Sequence, residues 1–181
     1  MKKLLTILCL VLLSVHSYSQ EVVTGHILVR DGIYYHQDTN QLVTGIVEEF
    51  YDDGQLKFRT NYKDGKEDGL YESFYKHGQL KFRGNFKDGK RDGLSEWFHE
   101  DGQLAMRGNH IDGIGIGLFE FFYEDGQLSW RGNYRDGKSD GPWEYFDEIG
   151  NLTETRTFRN GKLVESILTL NQFSKPSTPN P

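Results

Sequence analysis

Histidines, acidic turns, recurring glutamates and a glycine-rich stretch are the residues of this chain whose types and spacing could do chemistry. His77, His99 and His110 stand at positions occupied elsewhere by Asp53, Asp101 or Asp125, by Tyr51 or Tyr123, and by Tyr62 or Tyr134. Each reads as drift at a structural position, and with His26 and His36 they form no pair at zinc-site spacing. Asp64-Gly65-Lys66-Glu67-Asp68-Gly69 resembles a calcium loop only superficially. Lys66 falls where an oxygen ligand is needed, and Tyr75 where the closing glutamate should be, so a solvated turn is expected and no metal.

Gly113-Ile114-Gly115-Ile116-Gly117 precedes a strand pattern, Leu118 to Tyr123, and not the helix a phosphate cradle requires. No serine lies in a glycine-flanked nucleophile elbow with a base nearby. Glutamates and arginines recur in every unit, whereas an active site occurs once. The expectation is a protein without catalytic residues or cofactor, not an enzyme.

What must position these residues is a repeat. Asp53-Gly54-Gln55-Leu56, His77-Gly78-Gln79-Leu80, Asp101-Gly102-Gln103-Leu104 and Asp125-Gly126-Gln127-Leu128 recur at one constant stride, and Ile149-Gly150-Asn151-Leu152 continues the series. Asp64-Gly65, Asp88-Gly89, Asp112-Gly113, Asp136-Gly137 and Asn160-Gly161 follow at the same step, and Gly45, Gly69, Gly93, Gly117 and Gly141 open the units. Asp-Gly pairs supply the positive φ of hairpin loops, and the runs between them are apolar and aromatic, so each unit predicts strand, turn, strand, turn. The expected fold is all-β: an elongated antiparallel meander of about ten strands spaced about 4.8 Å. Five units occupy residues 46–165, capped by segments 20–45 and 166–174, with a proline-bearing tail over 175–181.

Two registers compete within a unit. A two-residue loop at His77-Gly78 sets Glu72 opposite Arg83, and likewise Glu48 opposite Arg59, Glu96 opposite Arg107 and Glu120 opposite Arg131. A three-residue loop, Lys76-His77-Gly78, closes with a glycine bulge and slips the register by one. It would place Leu70, Phe74, Leu80, Phe82 and Phe86 on one face, with Tyr71, Tyr75, Lys81 and Arg83 on the other. Recurrence of that apolar set favours the bulge.

The unit G-L-x-E-x-F-x-x-x-G-Q-L-x-x-R-G-N-[YF]-x-D-G-K-x-D, seen in Gly69 to Asp92, resembles the variant MORN repeat of bacterial proteins of the YwqK-type antitoxin-like family. The lead-in Asp31-Gly32-Ile33-Tyr34-Tyr35 through Gly45 is similar to that family's opening segment. The resemblance implies a hairpin-repeat fold and a protein-binding or lipid-associated scaffold without catalytic residues. In antitoxin-like members it implies neutralisation of a toxin by binding.

Ends and charge bound the setting. Met1-Lys2-Lys3, the apolar run Leu4 to Val15 and small residues at Ser17 and Ser19 have the layout of a secretory signal, with cleavage expected after Ser19. Export to the periplasm, the cell envelope or the medium is therefore expected. Cys9 is the only cysteine and lies inside that run, so a chain cleaved there holds neither disulfide nor thiolate site. Loss of Lys2 and Lys3 would leave 19 basic against 27 acidic residues, a net charge of −8. Such a balance argues against nucleic acid and disfavours anionic membranes.

Two surfaces stand out as candidate partner-binding sites. Ile111, Ile114 and Ile116 replace charges of the other units, and with Phe119 and Phe121 they are expected to form an exposed apolar patch that engages a protein partner. Tyr71, Trp97, Phe121 and Tyr145 form a varying aromatic row able to bind an extended chain or glycan, or to serve sheet packing. Open sheet edges offer a third possibility, self-assembly.

Overall fold

The computed structural model describes residues 22–23 and 26–169; the expected signal segment and the terminal tail lie outside them. Among the described residues, thirteen strands run in chain order: β1 (Ile27–Arg30), β2 (Ile33–His36), β3 (Gly45–Phe50), β4 (Leu56–Lys63), β5 (Lys66–Phe74), β6 (Leu80–Lys87), β7 (Lys90–Phe98), β8 (Leu104–Ile111), β9 (Ile114–Phe122), β10 (Leu128–Arg135), β11 (Lys138–Phe146), β12 (Leu152–Arg159) and β13 (Lys162–Leu168). β3 to β13 form one antiparallel sheet of 11 strands, each paired only with its neighbours in sequence, while β1 and β2 make a separate hairpin. The all-β meander expected from the glycine stride is therefore the fold.

Its turns alternate between two kinds. At Asp64-Gly65 both residues are left-handed, φ 50° and 77°, and Lys63 pairs with Lys66, which is the two-residue hairpin whose twist matches its strands. Along the opposite side the loops are longer: the Gly78 N–H donates to Tyr75 O and the Tyr75 N–H to Gln79 O, enclosing Lys76-His77-Gly78. The three-residue loop is thus present. A second bulge at Lys81 then undoes its effect, since Phe74 faces Leu80 but Ser73 already faces Phe82, and Glu72 faces Arg83.

The expected face assignment is corrected by that second bulge. Leu70, Glu72, Phe74, Leu80 and Arg83 share one face, and Tyr71, Phe82 and Phe86 share the other, because side chains alternate from the observed pairs. Leu70, Leu94 and Leu118 accordingly stay 38%, 42% and 44% exposed, while Phe82 and Phe119 are buried.

Consecutive units are locked at both long sides. On the Asp-Gly side, the N–H of Gly65, Gly89, Gly113, Gly137 and Gly161 donates to the carbonyl of Val43, Glu67, Arg91, Gly115 and Ser139 respectively. On the other side, the hydroxyls of Tyr51, Tyr75 and Tyr123 donate to Phe74 O, Phe98 O and Phe146 O, and His99 Nε2 lies 3.0 Å from Phe122 O in the same role.

The amino-terminal segment covers the first edge. Val43, Val47 and Tyr62 form a buried cluster with Val23, Ile27, Tyr34 and Phe58 against it, and the Tyr34 N–H donates to Gly65 O. At the far edge, residues 166–168 continue β13, the opening strand of an incomplete sixth unit in which Glu165 stands where a glycine opens the others.

Glycine also sets what can lie on the aromatic face. A Cβ on Gly132 would fall inside the contact surface of the Trp143 ring, and one on Gly108 inside that of Phe119, so these rings lie flat on bare backbone. Gly132→Ala should cost about 1 to 3 kcal/mol by overpacking, read as a lowered Tm. The cost should largely vanish in a Trp143→Ser background, where the pair becomes equivalent to Gly84 beside Ser95. Additive costs in that double-mutant cycle would contradict the packing described.

Candidate functional site

The two faces differ in how their residues vary from unit to unit. One carries a charge row across nine strands: Glu48, Arg59, Glu72, Arg83, Glu96, Arg107, Glu120, Arg131 and Glu144, each directly opposite the next. Arg59–Glu48, Arg83–Glu96, Arg107–Glu120 and Arg131–Glu144 close as ion pairs of 2.7, 2.7, 2.5 and 2.5 Å. Arg83, Arg107 and Arg131 also lie over the rings of Phe98, Phe122 and Phe146. Partly exposed pairs of this kind are worth about 0.2–1 kcal/mol each. Their repetition supports the register and provides no singular centre for catalysis.

The opposite face repeats its geometry but not its residues. One row reads Glu49, Phe58, Ser73, Phe82, Trp97, Met106, Phe121, Trp130, Tyr145 and Glu154 across β3 to β12. Six of its members, Phe82 to Tyr145, form an unbroken apolar stripe. Phe82 and Trp97 have ring centroids 4.7 Å apart, Phe121 and Trp130 stack at 3.6 Å, and Trp130 meets Trp143 at 4.9 Å. The stripe ends at Arg156, which lies over Tyr145 and pairs with Glu154. At the other end stands the amino-terminal cap, whose Tyr34 packs on Tyr62.

The expected isoleucine and phenylalanine patch is divided between the faces. Ile111 and Ile114 pair across the Asp112-Gly113 turn, 54% and 48% exposed, and Ile116 pairs with Asn109 on the charged face. Phe119 and Phe121 point to the aromatic face, Phe119 buried beside Gly108 and Phe121 part of the stripe. Ile114 also rests against Gly137, as Lys90 and Lys138 rest against Gly113 and Gly161, so part of its apolar surface replaces a lysine stem. Ile116 lacks what its counterparts supply: Asp92 and Asp140 accept the N–H of Asp112 and Asn160, whereas the Asp136 N–H has only an isoleucine there. All four members of the row Tyr71, Trp97, Phe121 and Tyr145 belong to the aromatic face, with Tyr71 contacting Phe58, Phe82 and Phe86.

A hollow not anticipated from the sequence opens on this face between β7 and β10. It has a volume of about 290 Å³ and is lined by Arg91, Trp97, Met106, His110, Phe119 and Phe121, with Tyr134, Gly115 and Gly137. Gly115 makes the space, standing where Glu67, Arg91 and Ser139 stand in other units. His110 is 7% exposed, its Nδ1 has no hydrogen-bond partner among the described residues, and burial, with Arg91 second, pulls its pKa below the ordinary histidine value. Burial likewise holds the Glu67 carboxyl above the usual carboxylate range, beside Tyr62 at the cap. The signal for the hollow is the convergence of Arg91, His110 and Gly115, which becomes visible only once the register is known.

Residues 43–64, 67–88, 91–112 and 116–136 match the family model of the MORN repeat variant. From β3 to β10 the sheet is built of MORN repeat variants. The matches start at Val43, whose carbonyl accepts the first inter-turn bond, and they end at Asp136, leaving out β11, β12 and β13. The resemblance to the YwqK-type family goes no further than this repeat. No curated protein matches the chain. Among solved structures, it is similar to S. aureus TarM in complex with Fondaparinux, alpha-GlcNAc-glycerol and UDP, and to a second TarM crystal structure. Identity is 16% and the TM-score 0.35 in both, over 52% and 54% of this chain. The chain spans 19% of the length of those proteins.

Because the His110 pKa is depressed, stability depends on pH. Between its folded value and the ordinary histidine value near 6.5, the unfolded chain binds a proton that the folded chain does not, so stability falls as pH drops through that window. His110→Phe places there the residue found at Phe86 and Phe158. The Tm advantage of this variant over wild type should grow as pH falls from about 7.5 toward 5.5; a pH-independent difference would contradict a neutral, buried imidazole.

Proposed function

We propose that this protein is a non-catalytic binding scaffold that engages a partner protein along its aromatic face. The observation that supports the reading is the concentration of variation on one face. Across the units the charged face keeps Glu48, Glu72, Glu96, Glu120 and Glu144, and Phe50, Phe74, Phe98, Phe122 and Phe146. The aromatic face changes at every step: Val47, Tyr71, Ser95, Phe119, Trp143, and Glu49, Ser73, Trp97, Phe121, Tyr145. Packing alone asks for the same solution in each unit. A surface whose residues differ while its backbone repeats is suited to reading a partner position by position, and half-buried aromatic side chains are the usual anchors of such contacts.

The expected export, from the layout of residues 1–19, places the function in the periplasm, envelope or medium. Neutralisation of a toxin is the form of binding that the resemblance to antitoxin-like proteins implies. Lipid association is disfavoured by the net charge of −8 that an exported chain would carry.

Affinity capture from the native envelope, identification by mass spectrometry and calorimetry with the purified partner would test this. Trp97→Ser with Phe121→Ser, which install the residue found at Ser73, should weaken binding at least tenfold. Ile114→Lys with Ile116→Asp restores the charged turn, should raise or preserve Tm, and reports whether the isoleucine edge contributes to the same contact. Unchanged affinity in the tryptophan and phenylalanine variant would refute the aromatic face as the binding surface.

A second reading is favoured by β13, all seven of whose residues are exposed, among them Leu163, Val164, Ile167 and Leu168 at 54%, 52%, 54% and 69%. No described residue pairs with its outer edge, and an open edge is a template for another strand. Assembly of an envelope structure through this edge predicts concentration-dependent oligomers in sedimentation, abolished by Val164→Pro. A monomer at every concentration tested removes it.

A further inference from the structure

We propose that the hollow between β7 and β10 is a binding site for a small organic anion with a flat apolar body, an aryl carboxylate in class. Its anionic group would sit on Arg91 and its ring between Trp97, Met106 and Phe121. Arg91 is the first argument. Its guanidinium lies 4.9 Å from the Trp97 ring centroid and 5.5 Å from that of Phe82, held by stacking and not by a carboxylate. Arg59, Arg83, Arg107, Arg131, Arg135 and Arg156 are ion-paired, whereas Arg91, like Arg30 and Arg159, has no ion pair among the described residues. A guanidinium fixed on an aromatic surface keeps its forked donors for a planar acid group.

The lining supplies the rest of the selectivity. No carboxylate lines the hollow, so nothing within it competes with an anion for Arg91. Its walls are Trp97, Met106, Phe119, Phe121 and Tyr134, with Phe119 and Tyr134 in edge contact at 4.7 Å. A volume of about 290 Å³ suits one or two fused rings with an acid group, since a dry cavity of about 150 Å³ suffices for benzene. His110 contributes a neutral imidazole whose Nδ1 is unpartnered among the described residues, a polar group within an otherwise apolar floor. The charged and titratable groups facing His110 are Arg91 from β7 and Tyr134 from β10.

Two repeat positions meet here, one of which changes in every unit. Arg91 and Gly115 occupy one repeat position in successive units, held by Glu67 and Ser139 in the units on either side, and His110 stands where Tyr62, Phe86, Tyr134 and Phe158 stand. A Cβ on Gly115 would reach to 3.0 Å of the Phe119 ring. Whether a protein also engages the aromatic stripe is a separate matter, because this site needs only the residues of the hollow.

The probes are 2-naphthoate, benzoate and the neutral 2-naphthamide, titrated into the purified protein by calorimetry and followed by the tryptophan indole N–H signals in NMR. The two carboxylates should bind saturably at one site and shift an indole signal, the amide at least tenfold more weakly. Arg91→Glu, the residue already tolerated at Glu67, should abolish carboxylate binding while the circular dichroism spectrum is kept. Arg91→Gln and Arg91→Lys form a second pair, the lysine retaining part of the affinity through its charge without the stacked fork and the glutamine losing it. Absence of saturable binding to wild type, equal binding of acid and amide, or binding that survives both Arg91→Glu and Arg91→Gln would overturn the site.

Discussion

The left-handed Asp-Gly turn is the constraint on which the rest of this sheet depends. At Asp64-Gly65, Asp88-Gly89, Asp112-Gly113, Asp136-Gly137 and Asn160-Gly161 both residues sit at positive φ, a conformation open to few residue types. Once there, each glycine N–H reaches a carbonyl just past the preceding turn, as Gly89 reaches Glu67, so a turn closes its own hairpin and ties itself to the one before. An unvarying stride is what this double use of one turn requires. Among the described residues no second layer packs over most of the sheet, which therefore cannot rely on a thick core. It relies on these ladders, on the tyrosine ladder along the opposite side, and on side-chain rows across each face.

Much of the fold was legible because its decisive residues are glycines with no alternative. The positions of both loops follow from the two glycine markers of each unit, and the strands between them from apolar and aromatic runs. The register was legible only in part. Glycine announced the three-residue loop at Lys76-His77-Gly78, but the compensating bulge falls on Lys57, Lys81, Ala105, Ser129 and Thr153, which share no residue type. A bulge of ordinary residues leaves no mark in the sequence. Both competing registers therefore hold, one near the loop and the other through the body of the strands.

The same gap explains how far the candidate site could be read. Replacement of charges by Ile111, Ile114 and Ile116 is visible in any alignment of the units, and so is the aromatic content of Phe119 and Phe121. Their separation onto two faces follows from alternation along β9, even-numbered Ile114 and Ile116 on one side and odd-numbered Phe119 and Phe121 on the other, once all four are known to lie in one strand. His110 does occupy a tyrosine position, as its place in the stride implies, yet drift at that position leaves a polar nitrogen buried. Its meaning comes from Arg91, well before it in the chain, and Gly115, beyond the next turn, which become its neighbours only through the pairing of β7, β8 and β9.

How freely the aromatic face can vary is decided by its middle row. Read across the sheet, that row is Thr60, Tyr71, Gly84, Ser95, Gly108, Phe119, Gly132, Trp143 and Arg156. Phe119 lies over the backbone of Gly108 and Trp143 over that of Gly132. Phe119 has a glycine on each side, and Trp143 has one. Glycine on the even-numbered strands thus separates the choice of residue on one odd-numbered strand from the choice on the next. Within that row Tyr71, Ser95, Phe119 and Trp143 can differ without meeting one another, whereas the Glu and Arg residues of the other face must match on both sides. One face is held constant by pairing and the other is released from it, and this is the physical reason that a repeating backbone can carry a surface that does not repeat.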